Sequence, residues 1–197
     1  GYFVKTIVPY NIDNSWGWID TFDKEIKKNV EVICGDICDQ NLISNQTKKI
    51  DIIFHLAALI SIPYSYKSPR SYLSTNVTGT LNMLEAAREN NVELFVQTST
   101  SEVYGSSQYI PIDEKHQLNA QSPYAATKIA ADQLALSFFR TFDLPVLVGI
   151  SRKSFVKKKY GENKTLEGTL ELNKIALNNG ANIIRVHDVR ENKRLIK

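Results

Sequence analysis

Tyr124 and Lys128 stand four residues apart in QSPYAATKIAADQLALSFFRTF (121–142), a stretch whose apolar spacing predicts a helix. At that separation both side chains project from one face, about one turn apart. An ammonium so placed favours the phenolate and draws a tyrosine down from its ordinary pKa of about 10, giving a general base usable near neutral pH. Lys128 keeps donors in reserve for a ribose hydroxyl. The spacing alone is a weak signal, because such pairs arise by chance on helix surfaces.

A second group sits upstream. TSTSEVYG (98–105) follows the apolar run ELFVQTS (93–99), which reads as a strand. Thr100, Ser101 and Glu102 therefore fall at the carboxyl end of a sheet, the edge where open α/β folds bind ligands. Thr100 can hydrogen-bond a substrate hydroxyl, and Glu102 can move a second proton. The plainer alternative is a Ser/Thr-rich turn with a solvated carboxylate.

The elements that must position these groups alternate along the chain. Strand-like runs occupy 2–8, 30–36, 51–59, 93–99 and 144–150, and helical spacing covers 67–90 and 121–142. DIIFHLAAL (51–59) is nearly all apolar, as expected of a parallel strand covered on both faces. Pro123 sits near the first turn of its helix, where a missing amide donor costs least. Strands separated by helical crossovers predict an α/β fold, a parallel sheet flanked by helices. Beyond residue 150, a helix over 165–180, a strand over 181–189 and a last helix from 191 are expected.

Bulk properties narrow the function. The 197 residues are 43% hydrophobic and 23% charged, and no run of 18 apolar residues or signal-like start is present, so a cytoplasmic, non-membrane protein is expected. Cys34 and Cys38 match neither a disulfide framework nor a zinc spacing, and no metal site is expected. Residues 1–150 hold 12 Lys+Arg against 16 Asp+Glu, whereas 151–197 hold 12 against 5. That basic part keeps apolar periodicity and lacks interleaved aromatics, which argues for a folded segment and against a nucleic-acid tail.

The series GDICD (35–39), FHLAAL (54–59), TNVTGTLNMLEAA (75–87), QTSTSEVYG (97–105) and SPYAATK (122–128) resembles, in order and spacing, the extended short-chain dehydrogenase/reductase family of NAD-dependent sugar-nucleotide epimerases and dehydratases. The likeness covers about residues 1–146. NSWGWID (14–20), HLAALISIPYSY (55–66) and PIDEKH (111–116) further resemble 4,6-dehydratases of legionaminic acid-type biosynthesis, which act on a nucleotide-linked N-acetylglucosamine. The resemblance implies NAD as cofactor and a nucleotide-linked sugar as substrate. It makes Tyr124 the base at the sugar 4-hydroxyl, Lys128 the holder of the nicotinamide ribose, and Thr100 a bridge to the 4-oxygen. Asp36 and Ile37 would line the adenine, and Leu56, Ala57 and Ala58 the wall beside the dinucleotide. Glu102 would take the C5 proton and drive loss of water, a carboxylate that a simple epimerase does not need. Decarboxylases of the family also carry Ser-Glu after the Thr. Where some relatives have an acid, this chain has Ser101, so the group that protonates the leaving hydroxyl is unassigned. By analogy the chain would form a homodimer. Asn76 is expected to pin the long helix to a neighbouring strand, His55 to be a satisfied core or edge histidine, and Trp16 and Trp18 to pack on a surface loop.

Two features depart from that family. Its opening strand and Gly-rich turn are expected to be missing, because GYFVKTIV matches the region after the first helix and the glycines (1, 17, 35, 79, 105, 149, 161, 168 and 180) never cluster. After LPVLVGI (144–150), the stretches SRKSF and LEGTLELNKIALNNGANIIRVHDV resemble the closing part of dihydropteroate synthase, a (β/α)8 barrel. That resemblance assigns Ser151, Lys153, Arg185 and His187 to a pterin and anion site. The expected organisation is thus an incomplete Rossmann-like domain over 1–146 and a β-α-β-α piece of barrel type over 147–197, joined at the apolar strand. Three readings follow: a 4,6-dehydratase-type domain (or an epimerase or decarboxylase of the same family), a pterin-binding fragment, and a non-catalytic hybrid remnant.

Overall fold

The computed structural model describes residues 2–13, 15–110, 112, 115–144 and 146–149, with the isolated positions 166, 170, 174 and 194. In chain order the elements are β1 (Val4–Val8), a 3-10 turn (Gly17–Thr21), α1 (Lys24–Lys27), β2 (Val30–Cys34), α2 (Gln40–Gln46), β3 (Ile52–His55) and α3 (Ile62–Lys67). They continue with α4 (Pro69–Tyr72), a π turn (Leu73–Thr78), α5 (Gly79–Glu89), β4 (Leu94–Thr98), a second 3-10 turn (Ser101–Tyr104), α6 (Pro123–Phe142) and β5 (Val146–Gly149).

All strand pairs are parallel, as the alternation of strands and helices predicts. The expected single sheet is instead two. β1 pairs only with β2, and β3, β4 and β5 form a three-stranded sheet in that order. The physical reason is that β1 and β3 each leave one edge unpaired, with no described strand between them. Phe95–Thr98 of β4 pair in register with Val146–Gly149, so the strand inside LPVLVGI finishes the sheet of the domain that precedes it.

Two expected elements need correction. The strand predicted over 51–59 stops at His55, because Leu59 gives its backbone N–H and C=O to the Asn76 side chain instead of a ladder. Nor is it covered on both faces: Ile52 and Phe54 are 43% and 65% exposed, while Ile53 and His55 are buried. The long helix appears as α4, π turn and α5 in unbroken succession, the π turn placing buried Asn76.

One core unites the elements. Ile37, Ile43, Ile53, Met83, Leu84, Phe95, Phe138 and Leu144 pack together between the helices and the sheet. Gly79 lets α5 close on the loop after β2, since a Cβ there would lie 2.5 Å from Ile37 Cδ1. The helix α6 begins as its sequence suggests. Ser122 caps the Ala125 N–H at 3.1 Å, with Pro123 in the first turn. It ends at Asp143, whose φ of 54° closes the last turn.

Leu166, Leu170 and Lys174 are helical, within the stretch read as a helix over 165–180. The rest of the barrel-type piece, including Ser151, Lys153, Arg185 and His187, lies outside the described residues. Among the described residues no helix is long and apolar enough to cross a membrane.

Candidate active site at the carboxyl edge of the three-stranded sheet

The packing of α6 against β4 brings together Tyr124, Lys128, Thr100 and Glu102. Tyr124 and Lys128 lie on the buried face of α6, one turn apart as their spacing requires. The Lys128 ammonium donates to the carbonyl oxygen of Thr98 at 2.5 Å, at the last residue of β4. Thr100 follows two residues on, capping the 3-10 turn by accepting from the Glu102 N–H at 3.3 Å. Its hydroxyl lies near enough to Tyr124 to favour the phenolate. Glu102 is exposed at this edge, close enough for its charge to act on the phenol.

The electrostatics differ from the simple spacing argument. The pKa of Tyr124 is raised, not lowered: burial dominates, the nearby Thr100 hydroxyl opposes it, and the charges of Glu102 and Asp132 add to the rise. Lys128 is itself shifted down by burial, against which the Asp132 carboxylate pulls upward. The ammonium is therefore engaged with the strand end, and the phenol owes its relief to Thr100.

Several supporting groups were not legible from motif spacing. Tyr72 is fully buried; its hydroxyl donates to the Ser61 carbonyl at 2.5 Å, and its ring meets Tyr124 edge-on at 6.3 Å. Asn76, expected to tie the helix to a strand, instead ties it to the loop after β3 and to α6. It accepts from Leu59 N–H at 2.8 Å and donates to Thr127 Oγ1 at 3.1 Å. Asp132 completes a row with Tyr124 and Lys128 at four-residue steps, a signal the sequence did contain. Ser99 Oγ donates to one of its oxygens and Gln97 Nε2 to the other at 3.4 Å.

His55 is the satisfied histidine its apolar setting suggests. Its Nε2 meets Thr80 Oγ1 at 2.9 Å, and since that hydroxyl donates to the Asn76 carbonyl, Nε2 carries the ring proton. Burial, with Lys128 nearby, lowers its pKa to about 4.

The remaining expected site residues fall into three groups. Leu56, Ala57 and Ala58 form an open shelf at the end of β3, Leu56 being 70% exposed. Asp36 is exposed after β2, its carboxylate accepting the Cys38 N–H at 2.8 Å. Ile37, expected to line a ligand, turns its side chain into the core against Gly79, so only its backbone borders that edge. Ser101 is exposed beside Glu102. Trp16 and Trp18 are exposed, and Cys34 and Cys38 are free thiols, Cys34 exposed.

The family model described as GDP-mannose 4,6 dehydratase matches residues 1–189. A dTDP-glucose 4,6-dehydratase from Streptomyces niveus is 38% identical over 135 residues, 68% of this chain and 40% of that protein. A double mutant of the dTDP-glucose 4,6-dehydratase of Streptomyces venezuelae, solved with NAD bound, superposes with a TM-score of 0.62 at 32% identity, covering 64% of this chain and 39% of that one. A UDP-N-acetylglucosamine 4-epimerase from Methanobrevibacter ruminantium gives 0.65 at 29% identity over 72% of this chain and 45% of its own. The chain thus spans about two fifths of the length of the curated relatives it matches.

Proposed function

This chain belongs to the GDP-mannose 4,6-dehydratase family, and from that premise we propose that it carries the tyrosine–lysine half of an NAD-dependent nucleotide-sugar 4,6-dehydratase site. The observation that carries the reading is one cluster: Tyr124 with the Thr100 hydroxyl beside it, Lys128 one turn on, and Glu102 at the same sheet edge.

The donor set fits the nicotinamide ribose of NAD. Lys128 is buried, and Thr98 uses one of the three donors of its ammonium, leaving two for ribose hydroxyls. Leu56, Ala57 and Ala58 offer an open apolar shelf beside it. When bound, NAD would supply the hydride acceptor for oxidation at C4 and the hydride donor for its return. Tyr124 takes the proton of the 4-hydroxyl, with Thr100 donating to the phenolate that takes it. Glu102 removes the proton at C5, which a neighbouring ketone acidifies, and passes that proton to the 6-hydroxyl, which leaves as water. That carboxylate favours dehydration over epimerisation; decarboxylases of the family carry the same Ser-Glu, so product analysis separates dehydration from decarboxylation. Within the class we propose a nucleotide-linked N-acetylglucosamine as substrate, on the resemblance of residues 14–20, 55–66 and 111–116, and a homodimer as the working assembly.

The test is incubation of the purified chain with NAD and, separately, dTDP-glucose, GDP-mannose and UDP-N-acetylglucosamine. A 4-keto-6-deoxy product that Tyr124→Phe reduces about 100- to 10,000-fold supports the proposal. Absence of both NAD binding and product reduces the chain to a non-catalytic relative. For residues 147–197 a second reading rests on SRKS and RVHD alone: a pterin or anion site of Ser151, Lys153, Arg185 and His187, supported by pterin affinity lost in Lys153→Ala. The family model reaches residue 189, so the two readings compete over that segment.

A further inference from the structure

Asp132 is a carboxylate in an expensive place. It is 9% exposed, one helical turn beyond Lys128, which is 6% exposed. Burying an ionisable side chain is costly unless it is paired and hydrogen-bonded, and both of the partners Asp132 has are donors. Ser99 Oγ donates to Oδ2 and Gln97 Nε2 donates to Oδ1 at 3.4 Å. Two donors aimed at two acceptor oxygens favour the ionised form. Gln97 and Ser99 flank Thr98 at the end of β4, and alternation along extended backbone sends their side chains to one face. The same three residues therefore hold both members of the pair: 97 and 99 fix the carboxylate, and the carbonyl of 98 takes the ammonium. No ion pair within 4.0 Å joins Lys128 to Asp132, so the coupling acts through space between two buried groups.

We propose that Asp132 is a positioning residue, the buried counter-charge that keeps Lys128 protonated and aimed at the sheet edge where Tyr124 works. It touches neither substrate nor cofactor. The inference rests on the proposed function for its purpose, but its physical content, a charge held on Lys128, is measurable without turnover. Burial drives the Lys128 pKa down and Asp132 drives it up; on Asp132 burial raises the pKa, and Ser99, Lys128 and Gln97, in that order, pull back toward the ionised form. The other titratable groups around the pair are His55 of β3, buried and neutral, Tyr124 of α6, Tyr72 of α4 and, at the edge, Glu102. None of these supplies a buried negative charge at neutral pH in place of Asp132.

The experiment is an NMR titration of the full chain with isotope-labelled lysine, the Lys128 signal identified by its loss in Lys128→Arg. Asp132→Asn should lower the Lys128 midpoint by about one pH unit or more, and Asp132→Glu should restore most of it. Ser99→Ala, which removes one donor without removing the charge, should give a smaller downward shift and serves where Asp132→Asn does not fold. In parallel, the pH–rate profile of Asp132→Asn should change shape, beyond any uniform drop. An unmoved Lys128 midpoint in folded Asp132→Asn, or no rescue by Asp132→Glu, overturns the inference even if the enzyme is active. A shifted midpoint in a chain without activity upholds it and sinks only the proposed function.

Discussion

Asn76 reaches from the π turn to two separate parts of the site: its side chain brackets the backbone of Leu59 with bonds of 2.8 and 3.0 Å and meets Thr127, next to Lys128, at 3.1 Å. One buried amide thus sets the shelf after β3 against the helix that bears the tyrosine and lysine. A π turn offers such a residue because its wider ring rotates one side chain off the regular helical face.

Asn76→Ala leaves the half-buried Leu59 N–H and C=O without their side-chain partners, each worth about 1–3 kcal/mol, and leaves Thr127 Oγ1 only its bond to the Tyr124 carbonyl. We expect a lower urea midpoint and faster hydrogen exchange at the Leu59 amide, with the two changing together. Loss of stability with an unchanged Leu59 amide would mean the clamp lies elsewhere.

Thr100 and Tyr124 define the second prediction. Burial raises the phenol, and the Thr100 hydroxyl pulls it in the other direction. Thr100→Val should therefore move the Tyr124 titration further toward alkaline pH, read as the phenolate absorbance lost in Tyr124→Phe. The alkaline rise of the pH–rate profile should move the same way. A downward movement would show that the hydroxyl does not donate to the phenol.

His55 gives a stability signature with a definite sign. Its pKa falls from 6.5 to about 4 in the folded chain, so the unfolded state binds the proton first as pH drops. The stabilisation is whole above about pH 6.5 and is lost as pH falls toward 4, a span worth roughly 3 kcal/mol. The unfolding free energy of His55→Gln should lack this slope between those limits. An equal slope in both proteins would place the titration on another group.

Glu102→Gln separates binding from proton removal at C5. Product formation should fall about 100- to 10,000-fold while NAD affinity, measured by fluorescence quenching, stays within twofold of wild type, roughly 0.4 kcal/mol. An equal loss of NAD affinity would recast Glu102 as a cofactor ligand.

The amino-acid order by itself determined the local features of this protein. Helix α6 starts where Ser122 and Pro123 say it must, and Tyr124, Lys128 and Asp132 share a face, because helical geometry follows from spacing alone. The parallel pairing and the placing of Thr100 and Glu102 at a sheet edge likewise follow from strands alternating with helices. What the tertiary structure alone decided is everything that depends on a partner distant in sequence. Strand β3 ends at His55 because Asn76 captures Leu59, Ile37 turns inward because Gly79 admits it, and two sheets form because β1 and β3 do not pair. The Tyr124 pKa rises because desolvation is a property of the assembled surroundings. A one-turn spacing can place an ammonium near a phenol; only packing decides how much water either one retains.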